Sequence, residues 1–263
     1  MKIIELAAEH KAQFACCLEE ESTEAKDAGP RRACWIDRFL ARGLCAKLAV
    51  DDNGMVGGMI QYLPIEQSTV DGRGLYFIPC IWVHGHKTGR GNFQGHGMGR
   101  ALLAAAEADA RALGATGMAA WGLWIPVWMK ASWFKKHGYQ KADRNGVSLL
   151  VWKPFTAEAQ KPRWFRPRRE LPANVPGKVT VTAFVNGWCM VGNLNLERAR
   201  RAAAEFGDWV VYREIDVSEH TAMAEWGRSD EIFINGKPVF AGPPVNYEKI
   251  RRHIEKQVRR LPA

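Results

Sequence analysis

Residues 91–114 read GNFQGHGMGRALLAAAEADARALG, and this stretch decides how the first half of the chain is built. Gly95, Gly97 and Gly99 alternate directly ahead of an Ala- and Leu-rich run of high helix propensity, which Gly114 can end. At a helix start, alternating glycines let successive backbone N–H groups face one point where the helix dipole is also positive. Glycine permits positive φ there and removes the Cβ that would hold a ligand off, so the turn reads as an anion cradle. It is not a Walker sequence, because no Gly-Lys-Ser/Thr follows, and it lacks the GxGxxG spacing of dinucleotide folds.

Ahead of the turn, Leu75 to Val83 is a nearly continuous apolar run, as expected of a central strand covered on both faces. Pro79 within it predicts a bulge, where a ladder hydrogen bond is already missing, or else a strand edge. Further out, residues 2–6, 45–50 and 55–63 read as strands, the last two joined by Asp51-Asp52-Asn53-Gly54, a hairpin signal. Helical spacing covers residues 10–21, and residues 31–42 after Gly29-Pro30. Beyond the Ala-rich helix come a strand at 118–121, a helix at 128–137 and a strand at 147–152.

Residues 155–178, FTAEAQKPRWFRPRRELPANVPGK, hold four prolines and little periodicity, which marks a boundary. Behind it the order is strand 179–185, helix 195–206, strand 209–216, helix 220–226, strands 231–234 and 238–241 around Asn235-Gly236, and helix 247–258. The fold class is α/β of the mixed α+β kind. The expected domains are 1–156 and 178–263, with a Pro/Arg-rich linker at 157–177.

A length of 263 residues favours two domains, and 47% hydrophobic with 25% charged residues excludes global disorder. There is no run of about 18 apolar residues, and MKIIELAAEHK lacks the order of a signal peptide, so a cytoplasmic protein without a membrane span is expected. The six cysteines show no paired zinc-ribbon spacing; reduced thiols and no metal site are expected, and His84-x-His86 supplies only two ligands. The net charge of +9 is concentrated at residues 161–170 and 249–260. It reads as solvated surface, or as contact with a phosphate ligand or between domains. Nucleic acid ranks last as a partner, since the cations lie in a linker without a recognised motif.

The spacing Gln94-x-x-Gly97-x-Gly99 resembles the acetyl-CoA motif of the GNAT superfamily of N-acetyltransferases, Gln/Arg-x-x-Gly-x-Gly/Ala. IWVHG, residues 81–85, is similar to the end of the strand that runs beside pantetheine in that family. ASWFKKHGY, residues 131–139, is similar to its helix and Gly-aromatic signature, so the resemblance covers about residues 1–155. It implies a GNAT acyl-CoA N-acyltransferase fold and acetyl-CoA as cosubstrate. The backbone N–H groups of Gly95, His96, Gly97, Met98, Gly99 and Arg100 would hold the pyrophosphate, with a side-chain contact from Gln94. The main chain of Ile81, Trp82 and Val83 would bind pantetheine and polarise the acetyl carbonyl.

Two departures stand out. HGHKTGRGNF lengthens the connection between Val83 and Gln94, adding a basic loop that could reach the adenosine phosphate or the acceptor. Phe134 occupies the place where many members carry a proton-donating tyrosine, and phenylalanine has no proton to give. Candidate bases are Glu66, Cys80 and His84, with His86 beside it; their alternatives are a solvated strand end, a packed small hydrophobe and loop polar residues. Trp121, Trp124, Trp128 and Trp133 together suggest an aromatic acceptor pocket, ordinary core packing being the alternative. The expected function is transfer of an acetyl group to a small-molecule amine by direct attack. The alternative is a catalytically degenerate acetyl-CoA-binding sensor or scaffold.

The second half resembles thioredoxin-like folds, in the arrangement of GNAT proteins that carry a YoaP-like C-terminal domain. Within FVNGWCMVGN, residues 184–193, Cys189 stands where such folds begin Cys-x-x-Cys, but Gly192 replaces the second cysteine and the usual cis-proline place near Ser229-Asp230 is polar. Dithiol chemistry is therefore not expected. Cys189 reads as a reactive single thiol facing the acceptor, or as packing.

Overall fold

Why the strand Leu75–Val83 can sit at the centre of a sheet and still open a cleft follows from its proline. The computed structural model describes residues 1–20, 22–125, 128–239 and 245–262. The chain divides into two units, one of residues 1–21 and 36–165, the other of residues 22–35 and 166–263.

In chain order the first unit and its connections comprise β1 (Lys2–Glu5), α1 (Lys11–Ala15), α2 (Thr23–Leu40), β2 (Cys45–Val50), β3 (Val56–Pro64), β4 (Val70–Asp71), β5 (Leu75–Val83), α3 (Met98–Ala112), β6 (Gly117–Leu123), α4 (Ala131–Lys136), β7 (Gln140–Asn145), β8 (Ser148–Pro154) and β9 (Arg163–Trp164). The main sheet has the order β1-β2-β3-β5-β6-β8-β7, antiparallel except for the parallel pair β5–β6. Register along β3–β5 jumps from Gln61↔Cys80 to Leu63↔Phe77, so β5 carries one extra residue at Ile78-Pro79, the bulge that its proline predicts. On the other side β5 pairs with β6 only from Leu75↔Gly117 to Ile78↔Ala120. Beyond Pro79 the two strands part.

α3 buries Met98, Leu102, Leu103, Ala106 and Ala110, one face of a 3.6-residue period, against Ile60 and Tyr62 of β3, Ile78 of β5 and Met118 and Ala120 of β6. Beside this apolar core, the buried Lys47 ammonium reaches Asp109 at 2.8 Å and also Glu5, and the Tyr62 hydroxyl donates to Asp109. Buried cations survive only with such pairing. Burial opposes the charge on Lys47, yet its two carboxylates hold its pKa above the ordinary lysine value.

Four helices differ from their expected spans, one of them the helix expected at 195–206 in the second half, which starts at Met190. Helical structure at residues 10–21 is limited to a 3-10 turn at Ala8–His10 and the five residues of α1, because Cys17 (φ 54) and Leu18 (φ 64) are left-handed; residue 21 lies outside the described residues. α4 starts at Ala131 rather than Trp128, after Met129 at φ 49. α2 starts eight residues earlier than Arg31, and Pro30 lies inside it. Ser22 caps its start, with Ala25 N–H donating to Ser22 Oγ at 3.2 Å. Strands β4, β7 and β9 are not among the expected elements.

The second unit contains β10 (Val179–Val185), α5 (Met190–Ala204), β11 (Val210–Asp216), α6 (His220–Trp226), β12 (Glu231–Ile234), β13 (Lys237–Val239) and α7 (Tyr247–Val258). Residues 240 and 241 of the expected last strand lie outside the described residues. The sheet order is β11-β10-β12-β13, with β10–β11 parallel and the other pairs antiparallel. α5 and α7 bury Leu196, Ala199, Ile250 and Ile254 with Val181, Ile232 and Ile234 of the sheet. Residues 23–35 of α2 belong to this unit. Arg31 grips Glu214 of β11 with two bonds of 2.9 Å, and Glu24 takes two bonds from Arg198 of α5, one of 2.9 Å. Such two-pronged pairs offset the hydrogen bond that Pro30 removes.

Candidate functional site

Parting of β5 from β6 leaves a cleft of about 1030 Å³ in the first unit. Its walls include Ile81, Trp82 and Val83 of β5, the turn from Gln94 to Arg100, and Trp128, Lys130 and Phe134 near α4. All seven residues of the turn that were expected to bind the cofactor lie on this one cleft, as do the three of β5.

The turn has the backbone its glycines predict. Gly95 (φ +85) and Gly97 (φ +82) are left-handed, and a Cβ built on either would meet nothing within 4 Å. Gly97 is the N-cap of α3 and offers no side-chain cap; the Ala101 N–H closes onto its carbonyl at 3.0 Å. The N–H groups of Met98, Gly99 and Arg100 therefore precede the first closed helical turn and have no carbonyl four residues back. Gln94 is held by its own N–H to Asn92 Oδ1 (3.0 Å) and by its amide to the Val83 carbonyl (3.4 Å). Gly85 clears the space, since a Cβ there would lie 2.2 Å from Gln94 Nε2.

Gly99 lies beside Trp133 in the cleft wall, where a Cβ would make an ordinary van der Waals contact with Trp133 Cζ2 at 3.4 Å. Trp133 packs edge-on against Phe134 at 5.0 Å and leans on His137 at 4.4 Å. Phe93, Met129 and Lys130 are cleft residues that the sequence does not mark, and Trp133, grouped with the other tryptophans, lines the cleft as well.

The candidate bases are dispersed. Glu66 accepts the Gly74 N–H at 2.7 Å, where β5 begins, at the end of the strand opposite the cleft. Its sequence position after β3 places it there, because Pro64 pairs with Tyr76. His84 is 2% exposed; its Nδ1 meets the Gly91 carbonyl at 2.6 Å, and its main chain bonds Gly57 and Phe93 at 2.9 and 2.8 Å. It closes the base of the long loop rather than lining the cleft. Arg90 of that loop turns inward to Glu20, Gln13 and the Val56 carbonyl, so this cation anchors the loop to the segment after α1. Cys80 pairs with Gln61 beside the bulge, on the strand face opposite Ile81 and Val83, and is half-buried.

Phe134 is 1% exposed and lines the cleft without a hydroxyl. The nearby Tyr139 does not replace it, being buried and outside the cleft wall; burial, with Glu107 beside it, raises its pKa well above the usual tyrosine value. Of the acceptor tryptophans, Trp121 donates Nε1–H to the Pro79 carbonyl at 2.7 Å and meets Trp128 edge-on at 5.5 Å. Its indole thereby satisfies a carbonyl at the point where the strands part. Trp128 lines the cleft at 42% exposure, while Trp124, 57% exposed, lies under Arg144 on the surface.

Cys189 belongs to the second unit, as N-cap of α5 with Sγ accepting the Gly192 N–H at 3.5 Å. A Cβ on Gly192 would lie 3.0 Å from Asp230 Cγ, and Asp230 is itself left-handed at φ 56. Asp230 fills the space that a second cysteine would need. Groups of three or more His, Cys, Asp or Glu able to hold a metal do not occur among the described residues.

No family model matches the chain, and no curated protein matches it. Among solved structures it is similar to a GNAT family acetyltransferase from Brucella melitensis in complex with acetyl-CoA, at 18% identity over 61% of this chain and 91% of that one, with a TM-score of 0.42. It is similar to the PaiA N-acetyltransferase of Thermoplasma acidophilum in complex with coenzyme A, at 13% identity over 58% and 98%, TM-score 0.42. A ribosomal-protein-alanine N-acetyltransferase from Brucella melitensis is 16% identical over 59% and 99%, TM-score 0.44. No helix among the described residues is long and apolar enough to cross a membrane.

Proposed function

We propose that the chain is an acetyl-CoA-dependent N-acetyltransferase of the GNAT kind, acting on a small-molecule amine in the cytoplasm. One observation carries the reading: β5 leaves β6 at the Pro79 bulge, and the cleft so opened runs along Ile81–Val83 to the glycine turn of α3. A left-handed glycine turn whose Gly95 and Gly97 face open space at the start of α3 fits a pyrophosphate. The backbone N–H groups from Gly95 to Arg100 would hold it, and the free edge of β5 would bind pantetheine. Acetyl-CoA supplies a thioester, an acyl group with a good leaving thiol.

The chain's part is to orient and to exclude water. Pro79, whose carbonyl is held by Trp121, fixes the width of the opening, and Phe134 closes its floor. Attack by the neutral amine forms the C–N bond and breaks the C–S bond. The amine proton passes to water, and the thiolate takes one from water, since Phe134 has none to give. Trp121 and Trp128 would wall the acceptor, with Trp124 at the rim and Cys80 beside the bulge.

The second unit reads as a thioredoxin-like, YoaP-like accessory domain, with Cys189 at its helix entrance. Its β-α-β-α-β-β-α order and the sheet order β11-β10-β12-β13 support this. The test is release of CoA thiol with a panel of small amines. Turnover on at least one is expected. Tight acetyl-CoA binding with no turnover on any would favour the sensor or scaffold, a reading that the absent hydroxyl at Phe134 favours.

A further inference from the structure

α7 carries a charge pattern that its packing does not use. Ile250 and Ile254 are buried against α5 and the sheet, with Val258 beside them. Lys249, Arg252 and Lys256, and Arg260 in the turn that follows the helix, recur at steps of three and four. They therefore share one face, and all four are exposed, as is His253 among them. The carboxylates of the helix do not neutralise this row. Glu255 is taken by Arg251 at 3.6 Å and by Arg259 at 2.5 Å, and none of the four cations has an ion pair among the described residues. Like charges at such steps destabilise a helix, so nothing in the fold accounts for the row.

What the row lacks selects its partner. A membrane-surface helix inserts an apolar face, and that of α7 is already buried on the sheet. Protein interfaces centre on aromatic and apolar side chains and are poor in lysine, whereas the row holds only cations and a histidine. Single-stranded nucleic acid is held by aromatic stacking, which the row cannot supply. A double line of phosphates is complementary to it. The midpoint of Lys249 and Arg252 lies about 11 Å along the axis from that of Lys256 and Arg260, at about 1.5 Å per residue. The major groove of B-DNA is roughly 12 Å wide, whereas that of an A-form duplex is narrow and deep.

We propose that α7 lies across the major groove of double-stranded DNA, with Lys249 and Arg252 on the phosphates of one rim and Lys256 and Arg260 on those of the other. Lysine and arginine on phosphates position a protein without reading bases, so this binding is independent of sequence. The cations of residues 161–170, which lack a motif, rank nucleic acid last; the helical order of those in α7 reverses that ranking. Such binding does not depend on acetyl transfer.

The experiment is fluorescence anisotropy of a labelled DNA duplex of about 20 base pairs and arbitrary sequence with the full chain, from about 50 to about 200 mM NaCl. Each phosphate contact releases counterions, so the logarithm of affinity should fall against that of salt with a slope of about −3.6, or roughly 0.9 for each of the four cations. Lys249→Gln, Arg252→Gln, Lys256→Gln and Arg260→Gln combined keep helix-forming residues, and are expected to flatten the slope and weaken binding at about 100 mM salt at least thirtyfold. Neutralising four other exposed cations, by Lys2→Gln, Lys26→Gln, Arg73→Gln and Lys141→Gln, changes the net charge equally and should alter affinity less than about threefold. Lys249→Gln with Lys256→Gln alone halves the slope, should the fourfold variant not fold. No binding of the wild type to DNA at the lowest salt, or an equal loss in the two fourfold variants, overturns the proposal. So does tighter binding to an RNA duplex, or to vesicles of phosphatidylcholine and phosphatidylserine, than to DNA.

Discussion

Gly97 and Asp230 share a left-handed backbone but serve opposite ends. Gly97 faces open space, so Gly97→Ala meets no clash and suffers only the αL cost of about 1–2 kcal/mol. Its methyl group would enter the cradle, so acetyl-CoA affinity by calorimetry is expected to fall at least tenfold while the melting temperature drops modestly. An unchanged affinity would remove the cradle from the binding site. Asp230 is pushed up to about 6 by burial, against which hydrogen bonds from Ser229 and the Asn186 backbone pull it down. That value lies above the roughly 3.9 of an unfolded aspartate. The folded state then binds more protons than the unfolded one between those values, so this residue's contribution is fully present below about pH 4 and is lost as pH rises through about 6. Asp230→Asn should add stability on the order of 2–3 kcal/mol at pH 7.5 and little at pH 4, measured by urea unfolding at both. Gly192→Cys, which would restore a Cys-x-x-Cys pattern, is expected to destabilise the chain, because its Cβ falls 3.0 Å from Asp230 Cγ. A stable disulfide-forming variant would refute that packing.

At the scale of elements, β5 shows how one residue shapes a strand. Pro79 cannot donate to a ladder, and the strand accommodates it with a bulge and loses β6 as a neighbour beyond Ile78. Trp121→Phe removes the 2.7 Å bond to the Pro79 carbonyl while keeping an aromatic ring. It should cost about 1 kcal/mol in thermal unfolding and lower kcat more than it raises KM for acetyl-CoA, because the opening is less fixed. The elements misread from sequence have physical causes. Gly29-Pro30 is a strong helix-breaking signal, yet α2 runs through it because Glu24 and Arg31 find arginine and glutamate partners in α5 and β11, far along the chain. β7, QKADRN, has no apolar alternation because it is an edge strand with only Ala142 turned inward. Its pairing with β8 is visible only in three dimensions.

For the whole molecule, the division of α2 is the main departure from a linear arrangement of domains. Residues 22–35 belong with residues 166–263, while residues 36–165 complete the unit that holds the cleft. Residues 163–165 also stay with that unit, since β9 pairs with β4 and Arg163 binds Asp71 at 2.7 Å. A fragment of residues 1–165 should therefore keep acetyl-CoA affinity but lose amide hydrogen-exchange protection at residues 22–35, where Glu24 and Arg31 have lost their partners. Full protection there would show that the helix stands on its own propensity.

Local features are legible in the residues alone: the glycine turn, the helix behind it, the proline bulge and every strand except β4, β7 and β9. Each rests on backbone preferences that neighbours along the chain dictate. Only the tertiary structure decided the rest. It brought the turn and β5 onto one cleft, withdrew Glu66, His84 and Arg90 from it into packing roles, and put Trp133 over Gly99 and Asp230 over Gly192. Those outcomes depend on which side chains meet across strands and helices distant in sequence, where the chemistry of a residue is set by its partners.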